Sequence, residues 1–375
     1  MDFVLTEEQV AVRDLASQVF GGLVTTDRVR TVEATEDRFD RELWGSLAEA
    51  GLLALAVPET NGGSGLGIFE LCMAFEQQGR VVAPIPLVST LIGALTIAEH
   101  GTAAQQSAWL PGVAAGKVVL ATALDGVGLN DPFAGGVKAV ADGAGFRLSG
   151  LRPAVSGAHV ANAVLVPALL ADGSMGVFIV DPTATGVNAV RTSSTNRQII
   201  STLTFLDTPV EATALIGGVS ADGSTVLRHL VFGTLVGLAA QQVGIAEEIT
   251  KLAAAYTSQR FQFGKPLSTF QGVSHRLANN YIDTEAMRVT MQAAAWRLAE
   301  GLDATTQVMV AKWWAAEGGH RVIHGAQHVH GGMGADIEYP SHRYFLWGKQ
   351  IEAAMGGASV WLSRLGAVIA ARSAS

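Results

Sequence analysis

At 375 residues the chain is long enough for two or three domains with substantial cores. Apolar residues make up 49% and charged residues 15%, with 43 glycines, which excludes a disordered chain and leaves few charged side chains to cover a monomer's surface. A net charge of −8 weighs against nucleic acid as the main partner. Extensive subunit contacts are therefore expected.

The N-terminus, Met1 to Glu8, is acidic and lacks a basic stretch followed by an apolar core, so no signal peptide is expected. From Thr6 the pattern is helical. Thr6-Glu7-Glu8-Gln9 forms a capped start, and apolar residues recur at Val10, Val12, Leu15, Ala16 and Val19. Phe39 to Trp44 opens another helix that gives way at Gly51, and Pro58 to Gly65 is a loop. Helices are predicted around 67–80 and 86–100. Cys72, the single cysteine, lies in the first of these as a small core residue and suits a reducing cytoplasm.

Past Val118 the texture changes to short apolar runs between Gly- and Asp-rich turns. Phe146-Arg147-Leu148, Ala163 to Leu169 and Met175 to Val180 read as strands. From about Ala221 the chain is helical again, with segments predicted near 224–258, 268–301, 303–331 and 349–371. The longest apolar run, Leu230 to Ala240, falls short of the roughly 20 residues that span a bilayer, so no membrane association is expected. The reading is an α+β chain, mainly α: a helical domain over 1–117, a β-domain over 118–216 and a helical bundle over 217–375.

Two motifs carry chemistry. Arg260-Phe261-Gln262-Phe263-Gly264-Lys265-Pro266-Leu267, with Gln271 behind it, sets a cation and an amide donor on a turn with exposed backbone, a combination that suits a diphosphate or an adenosine edge. A surface arginine beside two core phenylalanines is the plainer alternative. Gln327-His328-Val329-His330-Gly331-Gly332-Met333-Gly334 follows about sixty residues later. His328 and His330 alternate, but in a helix-to-loop setting without further Cys or Asp they are not expected to hold a metal, and no metal site is predicted.

Together these motifs resemble the flavin-contacting signature of the acyl-CoA dehydrogenase family, and the layout of helical half, small β-domain and helical bundle is that family's. The resemblance covers the whole chain. It implies FAD as cofactor, with Arg260, Gln262, Phe263, Gly264, Gln271, Gln327, Gly331 and Gly334 on its ADP half across a subunit interface. It also implies an acyl-CoA substrate and an electron-transfer flavoprotein as acceptor.

The family reaction removes an α-proton with a carboxylate base while flavin N5 takes the β-hydride. Counting from Tyr339, the usual base position is Met355, followed by Gly356. The alternative position, one residue before an arginine on an earlier helix, is Leu227 before Arg228, and Arg228 matches a substrate-binding residue. No catalytic residue is therefore assigned. Glu352, one helical turn before Met355, and His229 are the candidates for a relocated base.

The ring side of the flavin site is also depleted. Ala121 to Asp131 retains only the general character of the family's Thr-Glu-Pro-x-x-Gly-Ser-Asp element, and Ala154-Val155-Ser156 replaces its Trp-Ile-Thr/Ser, leaving Ser156 as a hydrogen-bond donor. This pattern resembles the base-lacking subunit of actinobacterial α2β2 acyl-CoA dehydrogenases, several of which act on CoA esters of sterol side chains. The partner it implies is a second acyl-CoA dehydrogenase subunit carrying the glutamate, in the cytoplasm. Two alternatives stay open: a self-sufficient homotetrameric enzyme with a relocated base, and a non-redox paralogue that binds acyl-CoA or a partner.

Overall fold

The computed structural model describes residues 3–125 and 136–374. Helix α1 (Glu7–Leu23) opens on the capping box expected from its sequence: the Gln9 amide donates to Thr6 Oγ1 and the Thr6 amide to Gln9 Oε1. Its stripe of Val12, Ala16 and Phe20 is buried. Helix α2 (Thr26–Glu33) follows, then α3 (Arg41–Glu49), where the Asp40 carboxylate accepts from the Leu43 amide. Helices α4 (Ile68–Val81) and α5 (Leu87–His100) fall within a residue or two of the predicted spans. Helix α6 (Ala103–Ala114) and α2 have no counterpart among the predicted elements; α6 carries Pro111 inside it, which argues against a helix on sequence grounds.

Among the described residues seven strands form one sheet: β1 (Leu120–Thr122), β2 (Val137–Asp142), β3 (Gly145–Ser156), β4 (Ala163–Leu169), β5 (Met175–Val180), β6 (Val187–Ser193) and β7 (Ile199–Glu211). The order is β1-β4-β2-β3-β7-β6, with β5 on β4; β4 runs parallel to β1 and β2, and the remaining pairs are antiparallel. Val137, Leu148, Val166, Phe178, Leu203 and Phe205 supply its buried core.

Beyond the sheet come α7 (Gly223–Gln259), a two-stranded ribbon of β8 (Phe261–Gln262) and β9 (Lys265–Pro266), α8 (Gln271–Ala299), α9 (Thr305–His330), α10 (Ser341–Ala353) and α11 (Ala358–Ala374). One expectation is corrected: the helix predicted over 349–371 is two helices. Met355 at φ +54° and Gly356 at φ +103° leave right-handed helical space and break it.

The chain forms two compact units, each discontinuous in sequence. One comprises Met1–Val29, Cys72–Ala83 and Leu235–Ser375, the other Arg30–Leu71 and Pro84–Thr234. In the first, α4 and α7 touch backbone to backbone. A Cβ on Gly79 would lie 2.1 Å from the Gln241 carbonyl oxygen, and one on Gly244 would lie 2.0 Å from that of Glu76. Beside this crossing, Arg288 bonds Glu76 and Glu247 at 2.6 Å each, and Arg80 also reaches both carboxylates. Burial alone would raise the Glu247 carboxyl, but Lys251, Arg80 and Arg288 outweigh it and hold it down to about 2. In α7 the most apolar window is 89% buried, and the apolar stretch over α10 and α11 is only 17% buried.

Candidate functional site

The residues from Arg260 to Gln271 form a hairpin leading into α8. Gln262 pairs with Lys265 and Phe261 with Pro266, so Phe263 and Gly264 are the two loop residues. Both have positive φ, +53° and +78°, the arrangement of a type I′ turn. Glycine adopts this freely. Phenylalanine does so only under strain, and Phe263 is 90% exposed while doing it. A bulky ring held outward at a strained position is a presented group rather than a core residue. Its ring meets Phe270 edge-on at 6.1 Å, and the Lys265 ammonium lies 4.4 Å above the Phe270 ring.

Arg260 follows directly on α7. Its amide donates to the Tyr256 carbonyl and its own carbonyl accepts from Leu267, both at 2.9 Å, so the backbone is pinned. The guanidinium is exposed and makes no hydrogen bond or ion pair with a described residue. Gln262 donates to the Phe261 carbonyl, and Gln271 is exposed as the first residue of α8, whose N-terminus carries no side-chain cap from a described residue. A cation, amide groups and an uncapped N-terminus of a 29-residue helix thus lie on one short stretch of chain, Arg260–Gln271.

The second motif lies at the same end of the bundle, because ring contacts join it to the foot of α7. Tyr256 lies 5.0 Å from the His330 ring, and His330 lies 5.3 Å from Tyr339. Gly331 closes α9 at φ +60°, ψ −138°, a combination that glycine alone tolerates. Gly334 packs closely on the same motif: a Cβ there would fall 2.7 Å from Gln327 Nε2 and 2.8 Å from its Cδ, so a larger residue would displace the end of that side chain. The glycine leaves room for the glutamine side chain, whose buried Oε1 has no hydrogen-bond partner among the described residues. His328 is exposed and His330 is buried, with Nδ1 on the Ala326 carbonyl at 2.8 Å. In a helix the two rings point apart, whereas alternating residues of a strand would share a face. Burial lowers the His330 imidazole, which keeps it neutral.

Met355 sits in the turn between α10 and α11 and is buried, 6% exposed. The turn is held from several sides. The Trp361 indole donates to the Met355 carbonyl at 3.1 Å, and the fully buried Lys312 ammonium donates to the carbonyls of Ile351 at 2.7 Å and Glu352 at 3.3 Å. Lys312 thus satisfies orphan carbonyls at the negative end of α10. Sequence reasoning missed this residue, because nothing in an isolated lysine signals what it caps.

Glu352 is engaged elsewhere. Its Oε2 accepts from Lys349 at 2.6 Å and lies 3.1 Å from His320 Nδ1. Burial would raise its carboxyl, but Lys349 and His320 outweigh it and leave it below the usual range. A proton-abstracting carboxylate needs the opposite shift.

The other unit holds the remaining candidates. Ser156 ends β3, pairs with Ile200 of β7 and is exposed on a recess also lined by Arg38, Phe39, Pro86 and His159. Ala154, at φ +55°, lies at the bulge just before it. Leu227 is 1% exposed in the apolar face of α7. Arg228 is exposed and donates to Thr225 Oγ1 at 3.2 Å. His229 lies beside Glu99 and His100, where burial, with His100 adding to it, pushes its imidazole down to about 4. Of the stretch Ala121–Asp131, Ala121 and Ala123 are buried in the sheet core, and Gly126–Asp131 lie outside the described residues.

Comparison with known proteins agrees with this layout. Residues 6–117 match the acyl-CoA dehydrogenase N-terminal domain and residues 225–369 the acyl-CoA dehydrogenase C-terminal domain. Acyl-CoA dehydrogenase FadE27 of Mycobacterium tuberculosis is 37% identical, with 99% of each chain covered. FadE28 of the same organism is 35% identical over 98% of each. Among solved structures, a chain from a variant of the Tcur3481–Tcur3483 steroid ACAD superposes with TM-score 0.93 at 46% identity, covering 98% of this chain and 99% of that one. A chain of the ChsE4–ChsE5 complex from Mycobacterium tuberculosis does so with TM-score 0.92 at 37% identity, covering 99% of each. The chain belongs to the acyl-CoA dehydrogenase family, with the family's fold.

Proposed function

We propose that this chain is the base-lacking subunit of a hetero-oligomeric, FAD-dependent acyl-CoA dehydrogenase. The observation that carries the reading is that both family base positions hold buried apolar side chains, Met355 at 6% and Leu227 at 1% exposure, while Arg260, Gln262, Phe263 and Gly264 of the ADP half stand exposed at a strained hairpin. The residues fit a dinucleotide. Arg260 offers a cation, unpaired among the described residues, beside an uncapped helix N-terminus for a diphosphate. Gln327 Oε1 is a buried acceptor without a donor among the described residues, which matches the amino edge of an adenine. Bound FAD supplies the hydride acceptor; this chain's part is to clamp the diphosphate through Arg260, Gln262 and Gln271 and to seat the adenine side between Gln327 and the Gly331–Gly334 turn. Ser156 is assigned a hydrogen bond to the flavin ring and Arg228 a contact to the substrate.

The partner subunit supplies the glutamate. Exposed Phe261, Phe263, Tyr281 and Ile282 around the hairpin and α8, with Leu362 and Ile369 on α11, give such a partner apolar surface to cover. The substrate class is a CoA thioester, and kinship with the steroid ACAD chain at 46% identity favours a sterol side chain. An electron-transfer flavoprotein is the acceptor by family likeness, and the cytoplasm is the compartment.

Co-purification with a glutamate-bearing acyl-CoA dehydrogenase subunit tests the reading. The pair should oxidise a steroid side-chain CoA ester, and Glu→Gln at the partner's base should abolish turnover. Turnover by this chain alone would favour the homotetrameric alternative.

A further inference from the structure

The C-terminal end of α5 and the first turns of α7 bring together three side chains that the proposed flavin and acyl-CoA chemistry does not use. They are Glu99, His100 and His229, all within the unit formed by Arg30–Leu71 and Pro84–Thr234. One ligating atom from each lies within 4.8 Å of the others. The His229 Nδ1 is 3.2 Å from Glu99 Oε2, and the two imidazoles meet edge to face with centroids 4.8 Å apart. Nε2 of His100 and Nε2 of His229 are both buried with no hydrogen-bond partner among the described residues. Ring nitrogens without a partner among the described residues also occur at His159 and His330, so it is the convergence of two such rings with the Glu99 carboxylate that sets this cluster apart.

We propose that Glu99, His100 and His229 form a site for a borderline divalent transition metal of the Zn²⁺ class. Two imidazoles and one carboxylate are the donor set that Zn²⁺ and Co²⁺ take, and three protein ligands leave a position for water. Each neutral imidazole offers one ring nitrogen lone pair to a cation. The Glu99 side chain is 51% exposed, which gives the ion a path from solvent. The backbone around the cluster is fixed: Gln106 Nε2 donates to the carbonyls of Ala98 and Gly101 at 2.9 and 3.1 Å, and Thr102 and Gln105 cap α6 immediately beyond. Metal binding closes the last step by side-chain rotation and clips α5 to α7. The cation partly neutralises Glu99, whose carboxyl burial otherwise raises.

The test is titration of the EDTA-treated full-length chain with CoCl₂, read by visible d–d absorption and by metal content after gel filtration. Wild type should bind one Co²⁺ per chain, displaced by Zn²⁺, and His100→Gln/His229→Gln should lose it. Glu99→Gln, at a half-exposed position, should fold normally and bind about tenfold more weakly or worse. His320→Gln/His324→Gln removes the other close pair of rings and should leave the titration unchanged. The proposal is overturned if wild type binds no Co²⁺ at hundreds of micromolar, if Glu99→Gln and the His100/His229 variant bind as wild type does, or if the His320/His324 variant loses the ion.

Discussion

The hairpin at Arg260–Gln271 and the turn at Ala354–Gly357 are both built on positive-φ residues, yet they are finished in opposite ways. At the hairpin, strain at Phe263 holds a ring in solvent beside an exposed guanidinium. At the turn, Met355 has nearly the same φ, +54° against +53°, but is buried beneath Trp361 and anchored through Lys312. Backbone strain survives only where the surroundings fix it. In the first case the hairpin ladder and Arg260 backbone bonds fix a surface for something outside the chain; in the second, the chain's own core fixes a turn whose side chain is inert to proton transfer. One region presents polar and aromatic groups to solvent, and the other seals an apolar side chain into the core.

Breaking the turn should have the largest effect. Lys312→Met removes a buried donor from two carbonyls at the end of α10, and the chain should lose about 3 kcal/mol in denaturant unfolding. A loss under about 0.5 kcal/mol would mean that the turn is held by packing alone. Arg260→Ala acts on the opposite region: flavin retention in the assembled complex should weaken by about 1–3 kcal/mol, with chain stability unchanged. Flavin affinity equal to wild type would remove Arg260 from the diphosphate site.

Phe263→Asn sharpens the comparison further, since asparagine tolerates positive φ. The isolated chain should be as stable as wild type or gain up to about 1 kcal/mol, while assembly with the partner weakens; the reverse pattern would make Phe263 a structural residue. Met355→Glu tests whether the turn still accepts a carboxylate, at a cost of about 1–3 kcal/mol for burying it, with assembly preserved on native gels. The smallest effect belongs to Glu352→Gln, where turnover of the complex should match wild type across neutral pH. Loss of activity there, with assembly intact, would restore Glu352 as a base.

In the metal-free chain, acid should reveal the buried histidine. His229 is held down to about 4 in the fold against about 6.5 unfolded, so the unfolded chain binds the extra proton between those values. Stability should be complete above about pH 6.5 and fall as pH drops toward about 4, and His229→Gln should flatten that part of the profile.

Much of this was legible in the sequence. Capping at Thr6, the apolar period of the long helices and the Gly- and Asp-rich turns between strands are local signals, and the elements they mark fall close to their predicted places; the motifs at Arg260–Gln271 and Gln327–Gly334 are equally local in sequence. What escaped was non-local. The stretch around Met355 reads as continuous helix because methionine carries no mark of positive φ, and helix α6 is hidden by Pro111. That Gly334 packs against the Gln327 side chain, or that Glu99 and His100 meet His229 from a distant stretch of chain, depends on packing that no window of sequence contains.

The most direct test of the central claim is FAD per chain, by absorbance and native mass, for this protein alone and co-expressed with a glutamate-bearing acyl-CoA dehydrogenase subunit. Little flavin alone and about one FAD per heterodimer together is the predicted result. One FAD per chain in a homotetramer of this protein alone would contradict it.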